Sequence, residues 1–540
     1  MNEKMKRIAA ILSILILIGL APSAIIQAQQ PSLDLQAAID AARPGAVIQV
    51  PPGVYTTNLV IEKSITLEGL DWPVIDGGYQ GNVIEINNAP DVTIRGLVIR
   101  NSGARLDKEN AGIAVDQSPR LIAENNRLEN TLFGIYIKDS ANSRITHNII
   151  GAKDLDVPAR GDGIRVWYSY NTEVVGNQVN NGRDVVLWYN NGAIIRDNVI
   201  TNGRYGLHFM YCDDNLVERN YIEGNSVGAF LMYSRRLTLQ HNVFANNRGP
   251  SGYGIGLKDM DGVTAHDNLF TGNRVGLYFD NSPWSVDVSQ HFQNNAFAYN
   301  DIGLMFNPSV KRNHFSHNSF IDNLEQVGLT GSGNFKENKF TVAGEGNFWS
   351  DYIGYDATGD DLGDLPYISK SLFENMMDQN PQLRLFQLSP AQQAIDLAAK
   401  AFPIFQPAPK FADDAPLMTP IVPSVVAPPS HPVWPMWIVA SGMLIIFGAA
   451  IGAGKLGRTG RPRSTEKPQI YEDTPMMIEV NNLTKTFGSF VAIDNLSFTV
   501  QRGDAVALWG PNGAGKTTII RSLLGLLSAA GDLKINGLDA

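Results

Sequence analysis

From Gly134 onward the chain repeats a short alternation of apolar and polar positions. The apolar pairs are Ile135/Ile137, Ile164/Val166, Val185/Leu187, Leu207/Phe209, Ala229/Leu231, Ile255/Leu257 and Leu277/Phe279. Period two with one apolar face predicts a half-buried strand. A turn-like Gly precedes most of these strands, and an Asn stands fourteen residues after it: Gly134/Asn148, Gly163/Asn177, Gly206/Asn220, Gly228/Asn242 and Gly254/Asn268. Asp184/Asn198 keeps the spacing with Asp in place of Gly. The successive anchors Asn126, Asn148, Asn177, Asn198, Asn220, Asn242, Asn268, Asn295, Asn318 and Asn338 lie 20 to 29 residues apart. Such a period marks a solenoid. No helix-length amphipathic segment interrupts it, so the strands are expected to stack in parallel as coils of a β-helix. The Asn residues then form a ladder at one turn, each hydrogen-bonding the next coil. A leucine-rich repeat is the alternative, but its leucine consensus is absent.

The same register separates inward from outward side chains. One outward column reads Tyr136, Arg165, Val186, His208, Phe230, Tyr278 and Met305. The next reads Lys138, Trp167, Trp188, Met210, Met232, Lys258 and Asp280, with Tyr168, Tyr189, Tyr211 and Tyr233 beside it. Large apolar groups facing outward say more than large apolar groups inside. Trp167, Trp188, Tyr168, Tyr189, Tyr211 and Tyr233 are therefore candidate partner-binding residues, for a protein or a sugar. A stacked ladder that only stabilises the solenoid is the plainer alternative.

Hydropathy outside the repeat divides the chain further. Lys4, Lys6 and Arg7 precede the apolar run Ile8 to Leu20, the anatomy of a signal peptide over 1–28. Val433 to Gly454 carries no charge and is long enough to cross a bilayer, with Trp434 and Trp437 at its start. Lys455, Arg458, Arg461, Arg463 and Lys467 follow, which puts that side in the cytoplasm. Pro403 to Pro435 holds ten prolines in 33 residues and reads as an extended linker. The expected order is a signal peptide (1–28), a parallel β-helix (30–385), a Pro-rich tail and linker (386–432), a transmembrane helix (433–454) and a basic cytoplasmic linker (455–475). An ATPase segment (476–540) ends the order.

The motif behind that last assignment is Gly510-Pro-Asn-Gly-Ala-Gly-Lys-Thr517, which fits G-x-x-x-x-G-K-[ST] at every fixed position. Backbone N–H groups from Gly510 to Gly515 wrap phosphates in such a loop. Lys516 reaches the outer phosphates and Thr517 the magnesium ion. A nucleotide site of this kind works in the cytoplasm, in agreement with the basic flank. The expected cofactors are ATP and Mg. No signature loop, no acidic strand end for magnesium and no base for water activation accompany it, so the segment reads as a partial ATPase domain.

Charge and composition narrow the partners. A net charge of −10 over 540 residues argues against nucleic acid. The single Cys212 excludes an intrachain disulfide and a multi-Cys metal site. His208, Met210 and Cys212 are expected on one face by strand alternation, with Met232 one coil on. Imidazole plus soft sulfur suits copper(I), which makes His208, Met210 and Met232 copper candidates. Cys212 also falls in a column with Ser169, Asn190 and Ser234, where a structural thiol is the plainer reading. His147, His241 and His317 each directly precede a ladder Asn and read as turn residues. Carboxylate pairs for polysaccharide chemistry are sought at Asp213/Asp214 and Asp162/Asp184, but turn chemistry accounts for both equally well.

Several segments resemble known families. Leu35 to Tyr55 and Ile65-Thr-Leu-Glu-Gly69 look like the first turns of pectin-lyase-like right-handed β-helices, in their carbohydrate-binding and sugar-hydrolase subgroup. Gly346-Asn-Phe-Trp-Ser-Asp-Tyr352, Gly359-Asp-Asp-Leu-Gly-Asp364, Pro366-Tyr367 and Ala401-Phe-Pro-Ile-Phe405 with Asp414 and Pro416 resemble the NosD family. Asp361 and Leu362 depart from its usual Gly and Ile. The resemblance spans roughly 30 to 420. It implies a periplasmic factor assisting assembly of the copper site of nitrous oxide reductase, beside an ABC permease and ATPase, the reductase and a copper donor protein. Ile478 to Lys485 and Leu496 to Val500 resemble the first strands of an ABC-transporter ATPase, as in a NosD–NosF fusion. That likeness adds Phe487 as the ring stacking on adenine and gives the cofactor set Phe487, Gly510, Asn512, Gly513, Gly515, Lys516, Thr517 and Thr518. A surface carbohydrate-binding or carbohydrate-processing β-helix is the rival reading.

Overall fold

In a computed structural model of the chain, the described residues are 33–331, 335, 337–402, 408–424, 476–487, 490–501, 515–523, 527–535 and 538–539. The signal peptide (1–28), the transmembrane span (433–454) and the basic linker (455–475) expected from sequence lie outside them. Among the described residues no helix is long and apolar enough to cross a membrane.

The alternating strands stack in parallel. Three sheets of 12, 13 and 12 strands run along one axis, each strand paired with its counterpart one coil away. The first sheet begins at Ala46–Val50, the second at Val54–Thr56 and the third at Leu59–Ile61. The short helix Leu35–Ala41 covers the first coil and places Leu35 and Ile39 in the core. This removes an edge that would otherwise offer unpaired backbone groups to another chain.

The Asn ladder holds the coils in register. Asn220 donates from Nδ2 to Ile195 O on the coil below and to Asn242 Oδ1 on the coil above, both at 2.9 Å. Its backbone N–H meets the same Asn242 oxygen at 2.9 Å. The pattern repeats from Asn126 through Asn318. Asn318 then pairs with Asn347 at 2.9 Å. Asn338 is not the next rung: it belongs to a short second ladder with Asn313 at 3.1 Å. A further ladder joins Asn225, Asn247, Asn273, Asn300 and Asn323.

The repeat Gly is not a turn residue. Gly254 and Gly276 lie inside the strands Tyr253–Lys258 and Val275–Asp280. A Cβ on either would come within 2.6 Å of the next coil's glycine carbonyl. Close approach of backbones, rather than a positive φ, demands glycine there.

The core changes character along the axis. Ile, Val and Leu fill the early coils. Later coils stack rings: Phe244, Phe270, Phe297, Phe320 and Trp349 follow at centroid spacings of 5.3, 4.7, 5.1 and 4.3 Å. Parallel pairing ends at Phe348–Trp349. Beyond it lie the helices Leu372–Gln379 and Pro390–Ala401, and Tyr367–Ser369 pairs antiparallel with Phe411–Asp413. The expected boundary at 385/386 thus falls inside a cap, and the part of the expected Pro-rich tail that precedes Pro403 is helical over Pro390–Ala401. Ser371 and Ser389 start these helices by accepting from Glu374 N and Gln392 N. The cap seals the solenoid as Trp349 Nε1 donates to the buried Asp413 at 2.9 Å.

The C-terminal segment shows the antiparallel strands Met476–Phe487 and Phe490–Gln501, with Ala530–Ile535 beside the first of them. The helix Lys516–Leu523 packs Ile519 against Val480, Leu483, Ile493 and Leu533.

Candidate functional site

Cross-strand register on the third sheet brings the outward residues into two columns. Lys138, Trp167, Trp188, Met210, Met232, Lys258 and Asp280 follow one another coil by coil. So do Tyr136, Arg165, Val186, His208 and Phe230. Trp167, Trp188, Met210 and Met232 are half-buried. Trp188 meets Trp167 edge-on at 6.3 Å and His208 at 5.6 Å.

Each strand of this stripe ends in a left-handed residue, and that residue is Tyr168, Tyr189, Tyr211 or Tyr233, with φ between 50° and 56°. The turn throws the phenol outward. The rings stack at 4.6, 5.0 and 5.2 Å with planes within 18° of parallel. Their faces therefore cover one another, and what they offer outward is their edges. Tyr189, Tyr211 and Tyr233 line a groove of about 320 Å³ with Tyr170, Asn191, Asp213 and Arg235.

The same turn overturns one expected grouping. Cys212 follows Tyr211 and points inward: it is buried, and its Sγ donates to Leu187 O at 3.0 Å. It shares no face with His208 and Met210. Its backbone N–H donates to Ser234 Oγ at 2.8 Å, which fits the structural column. Burial pushes the thiol up to about 12. A soft pair remains from Met210 and Met232 on adjacent coils, with His208 diagonal to Met232.

His208 is itself buried, with Nδ1 3.3 Å from Asp184 Oδ2 and Nε2 without a hydrogen-bond partner among the described residues. Tyr205 closes its other side at 5.0 Å. The indole N–H groups of Trp167 and Trp188 are likewise buried and unpartnered. Among the described residues no three His, Cys, Asp or Glu side chains stand together as a metal-binding group.

Asp162 and Asp184 sit beneath this stripe and do not form an acid/base pair. Asp162 is clamped by Arg165 Nε at 2.8 Å and Arg183 Nε at 3.0 Å. Burial raises its carboxyl. Asp184 holds Arg204 and His208; burial pushes its carboxyl up, but hydrogen bonds from those two residues outweigh this and lower it. Asp214 is committed to Arg236 at 2.6 Å. These arginines were not legible as partners in sequence, because they follow their acids by 3, 20, 21 and 22 residues. Nearer the first coils, Asn82, Glu85, Asn87, Glu109, Asp116, Tyr136, Lys138 and Trp167 line a cleft of about 350 Å³.

The acidic loop 356–364 satisfies itself. Asp356 accepts from Gly359 N at 2.6 Å and Asp361 N at 2.9 Å, and Asp361 accepts from Thr419 Oγ1 at 2.6 Å.

In the nucleotide segment, Gly510, Asn512 and Gly513 lie outside the described residues. Gly515 has φ +77° and its carbonyl accepts from Ile519 N at 2.8 Å, which starts the helix that Lys516 and Thr517 open. Thr518 is buried. Phe487 ends the strand Met476–Phe487.

Comparisons with known proteins agree with this division. Residues 148–354 match the family described as "Periplasmic copper-binding protein (NosD)". Residues 58–192 match "Right handed beta helix region" and residues 493–540 match "ABC transporter". The chain is 28% identical over 388 residues to the probable ABC transporter binding protein NosD of Stutzerimonas stutzeri, covering 68% of this chain and 86% of that one. The Pseudomonas aeruginosa protein of the same name is 28% identical over 378 residues, with the same coverage. The spermidine/putrescine import ATP-binding protein PotA of P. aeruginosa is 43% identical over 67 residues, which is 12% of this chain and 18% of PotA. Among solved structures, the mannuronan C-5 epimerase AlgE6 A-module of Azotobacter vinelandii is similar with a TM-score of 0.46 at 15% identity, covering 59% of this chain and 97% of that one. Within the right-handed β-helix, residues 148–354 match the NosD family model, and residues 493–540 of the same chain match the ABC-transporter model.

Proposed function

We propose that the chain is the periplasmic scaffold of an ABC-type system that assists assembly of the copper site of nitrous oxide reductase. The observation that carries this is the stripe of Trp167, Trp188, Met210 and Met232 on four successive coils, within the NosD-family domain. The reductase or a copper donor protein docks there. Large rings beside polarizable thioethers suit a protein surface. The ring nitrogens Trp167 Nε1, Trp188 Nε1 and His208 Nε2 are buried and unpartnered among the described residues, each at a cost of about 1–3 kcal/mol. Met210, Met232 and His208 offer soft ligands to a copper(I) cargo at the same place.

Residues 1–28 direct export, 433–454 anchor the chain, and 476–540 lie in the cytoplasm beside a permease and ATPase subunits. There Lys516 and Thr517 hold ATP and Mg. The contact of Arg521 with Asp322, at 3.3 Å, is the observation that weighs against this topology; the uncharged span and its basic flank are what support it. The uncharged span 433–454 gains about 0.3–0.6 kcal/mol for each Leu, Ile, Val or Phe it places in a membrane.

The test is capture of the reductase by the full chain, with a melting curve on the same protein. Trp188→Ala is expected to weaken capture by about 30-fold, since anchors of this kind contribute ~2 kcal/mol or more. A small drop in melting temperature accompanies it, because the ring also packs on His208. Unchanged capture with a large drop would make the stripe structural. A second reading, sugar binding, is favoured by the polar cleft of about 350 Å³ beside Trp167 and Tyr136. Tight oligosaccharide binding that is lost in Trp167→Ala would promote it.

A further inference from the structure

Five of the eight histidines in the chain stand on one face of the first sheet, over its last rungs. His266, His291 and His314 end or occupy the strands Thr264–His266, Gln290–Gln293 and Asn313–Ser316. His241 and His317 occupy the left-handed turn positions beside them, each with φ 55°. The turn reading of these two residues holds for their backbone, yet their side chains join a surface that only the register reveals. His291 and His314 are cross-strand partners with ring centroids 5.1 Å apart. His241 and His266 form a second pair at 6.1 Å. The two pairs are diagonal neighbours, because Thr264 pairs with His291 while His266 pairs with Gln293. Diagonal positions lie about 7–8 Å apart.

Hydrogen bonding separates these imidazoles. His317 is spent on Glu345 at 3.3 Å and Gln293 at 3.4 Å. His266 Nδ1 is held by Asp267 Oδ2 at 2.8 Å, which leaves Nε2 outward. A carboxylate behind one ring nitrogen is the usual support for a metal-binding imidazole. His291 and His314 contact each other's rings, and neither ring has a hydrogen bond among the described residues.

We propose that His291 and His314 form an open two-imidazole site for a late first-row transition-metal ion, and that His266 and His241 continue it along the same face. Imidazole selects the later ions of that row. Ligation needs neutral rings. Two metal–nitrogen bonds of about 2.0 Å each require the rings to open slightly from their edge-to-face contact. His291 is exposed and free to swing. With two protein ligands the ion keeps open positions for water or a partner's side chain, so it is held weakly and exchanges. The inference deepens the copper-handling reading and rests on it only for the identity of the ion; the site lies on a different sheet from the Trp188 stripe.

The experiment needs no partner protein. Metal-free full chain in detergent is given one equivalent of Zn(II), or of Cu(I) under anaerobic conditions, against a chromophoric chelator. The wild type is expected to retain an ion, and the double variant His291→Gln/His314→Gln to bind it at least tenfold more weakly. His147→Gln, an exposed turn position on an earlier coil, should be unchanged. As a check that does not depend on folding of a variant, bound metal should protect His291 and His314 of the wild type from carbethoxylation. Equal affinity in wild type and double variant, or no retention of either ion, overturns the site. Retention of zinc with refusal of copper upholds the pair but detaches it from the copper reading. Unchanged reductase capture by Trp188→Ala, which would overturn the docking reading, leaves this result untouched.

Discussion

Lys410 Nζ lies 2.7 Å from Asp378 Oδ2 and 3.0 Å from Glu325 Oε1, so one ammonium joins the cap helix to the last strand of the third sheet. Glu374 is 3.7 Å away on the same helix, and Arg384 Nη1 reaches Glu325 at 2.7 Å. Three acids thus share two cations. Burial pushes Glu374 up to about 8 and Asp378 up to about 6, with Glu325 adding to both. Burial also acts against the Glu325 charge, but Lys410 and Arg384 outweigh it and keep that carboxyl low.

The cap should therefore loosen as pH rises. Between the ordinary carboxylate range and about 8, the folded cap holds a proton on Glu374 that the unfolded chain has released. That stabilisation is complete below the ordinary range and is lost as pH climbs through 6 and then 8. Amide exchange of Leu372–Gln379 should be faster at the alkaline end after correction for intrinsic rates. Glu374→Gln should flatten the dependence; the same slope in that variant would assign it elsewhere.

Asn220→Ala should cost about 2–3 kcal/mol, because it leaves the buried Asn198 N–H and Ile195 O without partners. Asn202, whose amide meets Asn180 at the exposed surface, should cost less than about 0.5 kcal/mol when changed to Ala. Urea melts of both variants make the comparison. Equal costs would mean that the ladder adds nothing beyond ordinary surface hydrogen bonding.

Tyr189 distinguishes stacking from recognition. Tyr189→Phe preserves the ring contacts at 4.6 and 5.0 Å and removes the outward hydroxyl. Tyr189→Ala breaks the stack, at about 1–3 kcal/mol for two aromatic pairs. If the column is a docking surface read by its edges, the Phe variant loses partner capture while melting normally. Capture that fails in the Ala variant alone, together with its stability, would mark the column as structural.

Topology is accessible to fusion reporters. An alkaline-phosphatase-type reporter placed after Ser424 should be active, and one after Lys467 inactive. The reverse result, or activity at both positions, removes the proposed membrane span.

The solenoid was legible because every coil must put the same amide at the same turn, so Asn148, Asn177 and Asn198 recur on schedule. Register followed from alternation alone, and the Trp167–Trp188–Met210–Met232 column stands as the sequence places it. Asn338 was misplaced because an additional rung, Asn313 to Asn338, intervenes before Asn347. The long further ladder stands five residues after the first, at Asn225, Asn247 and Asn273, and that offset could have exposed it. Cys212 was set on the wrong face because strand alternation was carried through Tyr211, whose left-handed φ of 56° ends it. The His291–His314 pair lies in strands whose register depends on coils of unequal length, which spacing alone does not supply. The cap cluster joins Glu325 to Lys410 across 85 residues and left no local pattern.

Twelve rungs at a fixed spacing make the third sheet a ruler. Strands repeat every 4.8 Å or so, hence the first rung stands about 50 Å above the last. The Trp188 stripe occupies the middle of that height and the histidine face its lower end, next to the cap. Gain or loss of one whole coil would shift the stripe by one graduation and leave its chemistry intact. The distance at which a visitor is held from the cap is thus written in whole steps, by the count of coils.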